Sequence, residues 1–246
     1  MRRAVKWTGG SLVGLAVLLT AVIAFAHTRP GRPVLRLLSR VYWPKGAGCP
    51  FGYDKIATPA QRTAAQLRFA RTHAGAALAK ARPALGFTFD VTRRSDVLAW
   101  AKANHVACSP GANGNDLGCT QVPGALIPIG AQALSAGALW FDFGRDGALI
   151  SLVAVRRAPT AAQISAAFAA FTSSESRATG SAAFATTGNG SAAWLSGGLL
   201  RQASAEFRAR DYYALARATH MTHDYLLTET YRSLAPAPDA PALSLR

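Results

Sequence analysis

The stretch ALWFDF-GRDG-ALISLVAVR, Ala138 to Arg156, decides the fold. Leu139, Phe141 and Phe143 alternate with Trp140 and Asp142, the period of two expected of a strand with one apolar face. Gly144-Arg145-Asp146-Gly147 is a hairpin turn. In the second run Ile150, Leu152 and Ala154 alternate with Ser151, Val153 and Val155, so burial on both faces is expected. An antiparallel hairpin therefore sits at the centre of the chain.

Downstream, Pro159-Thr160 opens a helix with a Thr160/Gln163 capping box and an apolar stripe of Ile164, Ala167, Phe168 and Phe171. Thr172 to Gly198 is rich in Ser, Gly, Ala and Thr and takes no assignment, except that Trp194 and Leu195 are expected in the core. Gln202 to Thr219 reads as strand, continuous or broken near Arg210-Asp211. His220 to Asp224 is a turn, and Tyr225 to Ser233 the last strand.

Upstream, Thr58 and Gln61 form a capping box with Pro59 at the first helical position. This helix is predicted to reach Ala70 or beyond, with an alanine-rich continuation to Lys80 that Pro83 ends. Ala60, Ala64 and Leu67 share one side and Ala65 and Phe69 the other, so no clean buried face emerges. Gly86 to Val91 reads as a short strand with Phe87 and Phe89 on one face. Thr92 or Ser95 then caps a helix carrying Val97, Trp100 and Ala101, with Trp100 a core anchor. The expected class is α+β: one antiparallel sheet covered on one face by about three helices. No internal repeat is visible.

The address comes from the first 26 residues. Arg2, Arg3 and Lys6 precede an uncharged segment, Trp7 to Ala26, of 20 residues. That length suffices for a membrane-spanning helix. Ala24-Phe25-Ala26 has the form of a cleavage site, but no polar region separates it from the apolar run, so an uncleaved anchor is favoured. Arg29, Arg32, Arg36 and Arg40 make the other flank basic as well, so charge alone does not set the sidedness. Val34, Leu37, Leu38 and Val41 recur at helical spacing opposite Arg36 and Arg40. A helix on an anionic membrane surface and a linker helix packed on the domain both fit. The expected organisation is an anchor over 1–33, a basic amphipathic linker over 34–57, an α+β domain over 58–233 and a disordered Pro/Ala-rich tail over 234–246.

The chain carries 27 Lys and Arg against 12 Asp and Glu, a net charge of +15. Beyond residue 26 the balance is still +12, which favours anionic partners. The basic residues are spread out, and no nucleic-acid motif accompanies them, so no nucleic-acid partner is expected. Cys108 and Cys119 flank the Gly/Asn/Pro-rich loop SPGANGNDLG and are expected to pair in an oxidising compartment, leaving Cys49 odd. The rival is a zinc set of His105, Cys108, Cys119 and Cys49, whose spacing fits no compact zinc module.

Candidate chemistry is sparse. His220, His223 and Asp224 form the densest polar cluster, able in principle to bind a metal or act as a general base. Glu206, Asp211 and Glu229, interleaved with Arg208, Arg210, Arg217 and Arg232, read as cross-strand ion pairs on a solvated face. No G-x-S-x-G elbow or dinucleotide fingerprint occurs, and Gly188-Asn189-Gly190-Ser191 is a turn without the Gly-Lys-Ser/Thr of a phosphate loop. No cofactor or metal is expected.

The expectation is therefore a membrane-anchored, exported bacterial envelope protein. The folded part would lie in the periplasm on the inner membrane, or be periplasmic or secreted if the leader is cut. It would act as a non-enzymatic module binding an anionic lipid, a polysaccharide or another envelope protein. The alternatives are an envelope hydrolase using His220, His223 and Asp224, and a structural partner in an envelope assembly.

Overall fold

The computed structural model describes residues 58–111, 115–129 and 134–235. The anchor run, the linker segment Val34 to Trp43, Cys49 and the tail from residue 236 lie outside the described residues. Among the described residues, no helix is long and apolar enough to cross a membrane.

Helices α1 (Pro59–His73) and α2 (Arg94–Ala103) precede strands β1 (Ala107–Pro110), β2 (Asp116–Val122), β3 (Ala136–Phe143) and β4 (Leu149–Ala158). Helix α3 (Ala161–Thr179) follows. Then come β5 (Ala185–Thr187), the short helix α4 (Ala192–Ser196), β6 (Gln202–Arg208), β7 (Tyr212–His220) and β8 (Tyr225–Ser233). All eight strands join one antiparallel sheet in the order β1-β2-β3-β4-β8-β7-β6-β5. The architecture is α+β. The order reads the same from either edge once β5–β8 are matched with β1–β4. Each half has a four-strand meander with a helix directly ahead of it (α2 before β1, α3 before β5), the second interrupted by α4, and the halves meet at β4 and β8. This repeat of topology has no counterpart in the residues themselves.

One face of the sheet carries the core. Leu139, Phe141 and Phe143 of β3, Leu152 and Ala154 of β4, and Leu227 and Tyr231 of β8 are all buried there. On β6 and β7 the core positions are small: Ala203, Ala205, Ala214, Ala216 and Ala218. Small residues let α3 approach, and its Ile164, Phe168 and Phe171 fill the space. The Phe171 ring lies 6.1 Å from Phe207 and 5.7 Å from Tyr231. The α3 stripe is the expected one. Thr160 caps the helix by accepting from the Gln163 N–H, and Gly180 ends it in the left-handed region. Helix α2 buries Val97 and Ala101 on the same face, and α4 buries Leu195.

Helix α1 departs from the expected one-faced cover. Its Phe69 and His73 rings stack at 4.0 Å and meet Tyr213 edge-on at 5.0 and 5.1 Å. Tyr213 alternates with the core residue Tyr212, so α1 lies on the opposite face. The helix ends at His73, short of Lys80, because the chain must then cross to the other side. Gly75 donates to the Ala209 carbonyl, Arg210 donates to that of Ala77, and Ala81 donates to that of Ala178 on α3. A Cβ on Gly75 would stand 2.4 Å from the Arg208 carbonyl oxygen, so only glycine permits this crossing.

Three further expectations are corrected. Gly86 to Val91 is not a strand: Leu85 and Asp90 take positive φ, and the turn closes on itself through Phe87 N–H to Ala84 O and Thr92 N–H to Thr88 O. Phe87 and Phe89 plug the core from this turn, Phe87 meeting Trp100 and Phe141 edge-on. The residue capping α2 is Arg93, whose N–H is accepted by Asp96 at 2.7 Å. Leu234 is buried and donates to Asp211 O, so it belongs to the fold and not to a disordered tail.

Cys108 and Cys119 are bonded. They stand directly opposite on β1 and β2, with Cα atoms 4.0 Å apart. The neighbouring Gly111 N–H to Asp116 O bond sets the alternation that makes Cys108/Cys119 a non-hydrogen-bonded pair, where side chains are closest. The same alternation turns the N of Pro110 towards the open edge, where its missing donor costs nothing. The bond removes both thiols from any zinc set. Because it closes a loop of 11 residues, replacing both cysteines by serine is expected to cost a little under ~3 kcal/mol in a denaturant titration. An unchanged midpoint would show that the β1–β2 hairpin holds without it.

Candidate functional site

The histidine loop does not assemble into one centre. His220 ends β7, stacks on Tyr225 at 4.5 Å and turns Nδ1 to the Gly198 carbonyl at 2.8 Å. Facing a carbonyl, that nitrogen carries the proton. Asp224 accepts from Arg157 at 2.9 Å, and His223 is exposed. The three side chains thus look to different surroundings. Among the described residues, no group of three or more His, Cys, Asp or Glu side chains could hold a metal ion.

The acids divide. Glu206 accepts from Arg208, two residues along the same strand, at 2.6 Å. Asp211 accepts from the Ala79 N–H at 2.9 Å and lies 3.8 Å from Arg82. Glu229 was expected on a solvated face but is fully buried on the core face, which overturns that reading. Its partner is Arg156, equally buried: Nε donates to Oε1 at 2.5 Å. The remaining Arg156 donors reach the carbonyls of Ile127 and Leu134. Tyr231 donates to Glu229 Oε2 at 2.9 Å. Burial pushes the Glu229 carboxyl up, and the Arg156 and Tyr231 bonds hold the rise back. Nearby, α3 places Glu175 beside Tyr212, and burial raises Glu175 to about 8. This interior network ties the β2–β3 connection and α3 to the sheet. Arg156 and Glu229 are fully enclosed.

No protein-family model, curated protein or solved structure matches the chain. The reading of the site therefore rests on its own geometry.

The opposite face of the sheet is where the side chains become available. Register places its residues in rows running across the strands. One row is Asp116, Asp142, Ser151, Arg232, Tyr213 and Arg208. The next is Gly118, Trp140, Val153, Thr230 and Leu215, and the third Thr120, Ala138, Val155, Thr228 and Arg217. Val153, Val155 and Leu215 are only half-buried, so β4 is not closed off on both sides as its composition suggested. Trp140 is 46% exposed. A Cβ on Gly118 would lie 3.3 Å from the indole Cδ1, so the ring lies over the glycine and uses the space of its absent side chain. The result is a flat aromatic platform in an aliphatic and threonine-rich field.

The first row adds polarity. Asp116 Oδ1, Ser151 Oγ and Arg232 Nε are buried without a hydrogen-bond partner, and all three belong to it. Arg232 instead lies over Phe69 of α1, its Cζ 4.4 Å from the ring centroid. Leaving such groups unmet costs about 1–3 kcal/mol each, so this row gathers the unpartnered buried side-chain atoms found among the described residues. Alternation in ALWFDF already put Trp140 and Asp142 on one side. The register that aligns Asp142 with Ser151 and Arg232, and Trp140 with Val153 and Thr230, needed the structure.

Proposed function

We propose that the chain is a membrane-anchored, exported envelope protein whose folded part is a non-enzymatic binding module, with the partner held on the Trp140 side of the sheet face that α1 covers only in part. The observation that carries this reading is Trp140 seated over Gly118 amid Val153, Val155 and Thr230. An exposed aromatic fixed by its backbone neighbours loses little entropy on binding, and such anchors dominate interface energies. Export is supported by the basic, apolar N-terminus and by the Cys108–Cys119 bond, which persists where the surroundings oxidise.

Two measurements test this. A C-terminal alkaline phosphatase fusion should be active, and N-terminal sequencing of the membrane fraction should begin at the encoded start. A photo-crosslinking residue at Val155 should give a discrete adduct in cells, while one at Leu98, exposed on α2, should not. Trp140→Asp should weaken the adduct about tenfold or more, yet shift stability by only about 1 kcal/mol or less because the ring is exposed. Equal adducts from positions 98 and 155, or an adduct indifferent to Trp140→Asp, would overturn the binding reading.

A further inference from the structure

A second apolar surface lies at one end of the sheet, away from the Trp140 platform. Of the eight exposed large hydrophobic residues among those described, three sit within seven positions: Trp194 at 36%, Leu199 at 58% and Leu200 at 67% exposure. Trp194 was expected in the core, but only its neighbour Leu195 goes there. The two leucines form the tip of the loop Gly197 to Arg201. Leu200 holds φ +60°, a left-handed conformation that an L-residue with a branched side chain rarely takes.

The loop is nailed down in that form. Leu200 N–H donates to His220 O, His220 N–H donates back to Arg201 O, both at 2.9 Å, and His220 Nδ1 donates to Gly198 O. The imidazole from the candidate cluster thus serves to brace this tip. Arg201 lies with its Cζ 4.7 Å from the Trp194 ring centroid and donates to the Trp194 carbonyl. A strained backbone at Leu200 thus presents two leucines that are each more than half exposed.

We infer that the Trp194/Leu199/Leu200/Arg201 tip docks on an anionic lipid surface. The set of groups fits a lipid interface: the leucines are the most exposed, and beside them are an indole and a guanidinium in contact, groups favoured at headgroup level. Charge agrees. Arg201 lies in the tip itself, and the chain leading into it, Gly188 to Gln202, has no Asp or Glu. The acid nearest in the adjoining turn, Asp224, is taken by Arg157. A projecting tip suits a yielding surface that can receive it, whereas a protein partner would need a matching pocket. The inference rests on the proposed membrane address, and deepens it by naming the surface that faces the bilayer.

The test uses the full chain, with Cys49→Ser and the Cys108–Cys119 bond intact, reconstituted in vesicles of phosphatidylcholine alone or with phosphatidylglycerol. A nitroxide is placed at Leu199→Cys or, for comparison, at Leu98→Cys. In phosphatidylglycerol vesicles the label at 199 should gain collisions with oxygen and lose those with a water-soluble nickel complex. The label at 98 should stay aqueous. Leu200→Asp or omission of the anionic lipid should abolish the change. A label at 199 as aqueous as that at 98 in both vesicles overturns the inference. Protection independent of lipid charge also overturns it and points to insertion without regard to headgroup. Flotation with the vesicles in high salt reports the anchor separately: a chain that fails to float counts against the membrane address, while one that floats with an aqueous tip counts against docking alone.

Discussion

Arg156→Met is expected to remove about 3–5 kcal/mol of folding stability, the usual cost of breaking a buried ion pair. That is a large share of the ~5–15 kcal/mol that holds a typical domain together. The loss has three parts. Glu229 keeps a buried carboxylate without its cation, and the carbonyls of Ile127 and Leu134 lose their donors. A urea titration should show a lower midpoint at an unchanged slope. The deficit should deepen as pH rises from mild acid. Without Arg156 the Glu229 carboxyl rises further, so the folded state keeps its proton more tightly than the unfolded chain does. Adding Glu229→Leu should recover most of the loss, because no orphaned charge remains. The two carbonyls and the Tyr231 hydroxyl stay unmet, so recovery should be incomplete. A single substitution that costs less than about 1 kcal/mol would mean the pair is solvated in solution.

This pair shows where the sequence stops being readable. The hairpin at Ala138 to Arg156 and the stripe of α3 were legible because alternation and helical spacing are local, and burial acts on them directly. Arg156 ends a strand that reads as apolar, and a terminal arginine ordinarily signals solvent. Only pairing of β4 with β8, across the 73 positions to Glu229, encloses it. The same holds for the Trp140 side of the sheet. Trp140 and Asp142 share a side on local grounds, whereas Ser151 and Arg232 join their rows through register. Phe87 and Phe89 misled because two aromatics separated by one residue look like a strand. The positive φ of Leu85 and Asp90 is invisible in residue types that seldom adopt it. Cys108 and Cys119 were legible because they flank a short Gly/Asn/Pro-rich stretch, although strand pairing and the buried Leu117 hold that stretch as well.

Glu175→Gln is expected to flatten a marked pH dependence of stability. Tyr212 Oη lies 2.9 Å from both the Pro83 carbonyl and Glu175 Oε2. One hydroxyl proton cannot make a full-strength bond to two acceptors at once. The arrangement is complete only when Glu175 is protonated and donates to Tyr212, which donates onward to Pro83. Electrostatics agree: burial first, and then the nearby Glu229, raise Glu175 to about 8 against 4.5, with the Tyr212 bond pulling the other way. A carboxyl raised on folding contributes stability that is whole below its unfolded pKa and fades as pH climbs through the folded one. Between pH 4.5 and about 8 the wild type should therefore lose stability, by up to about 1.4 kcal/mol per pH unit. Glutamine does not titrate, and its amide N–H can donate to Tyr212 in place of the acid proton. The stability curves of wild type and variant should nearly meet in acid and separate steadily above it, the variant being the more stable at pH 8. Tyr212→Phe should lower both ends yet leave the slope, since the tyrosine relays the bond without carrying the titration. Parallel curves for wild type and Glu175→Gln would place an ordinary, ionised carboxylate at 175. The two acceptors around Tyr212 would then have to share its one proton, and the bond between α3 and β7 would be donated by the tyrosine.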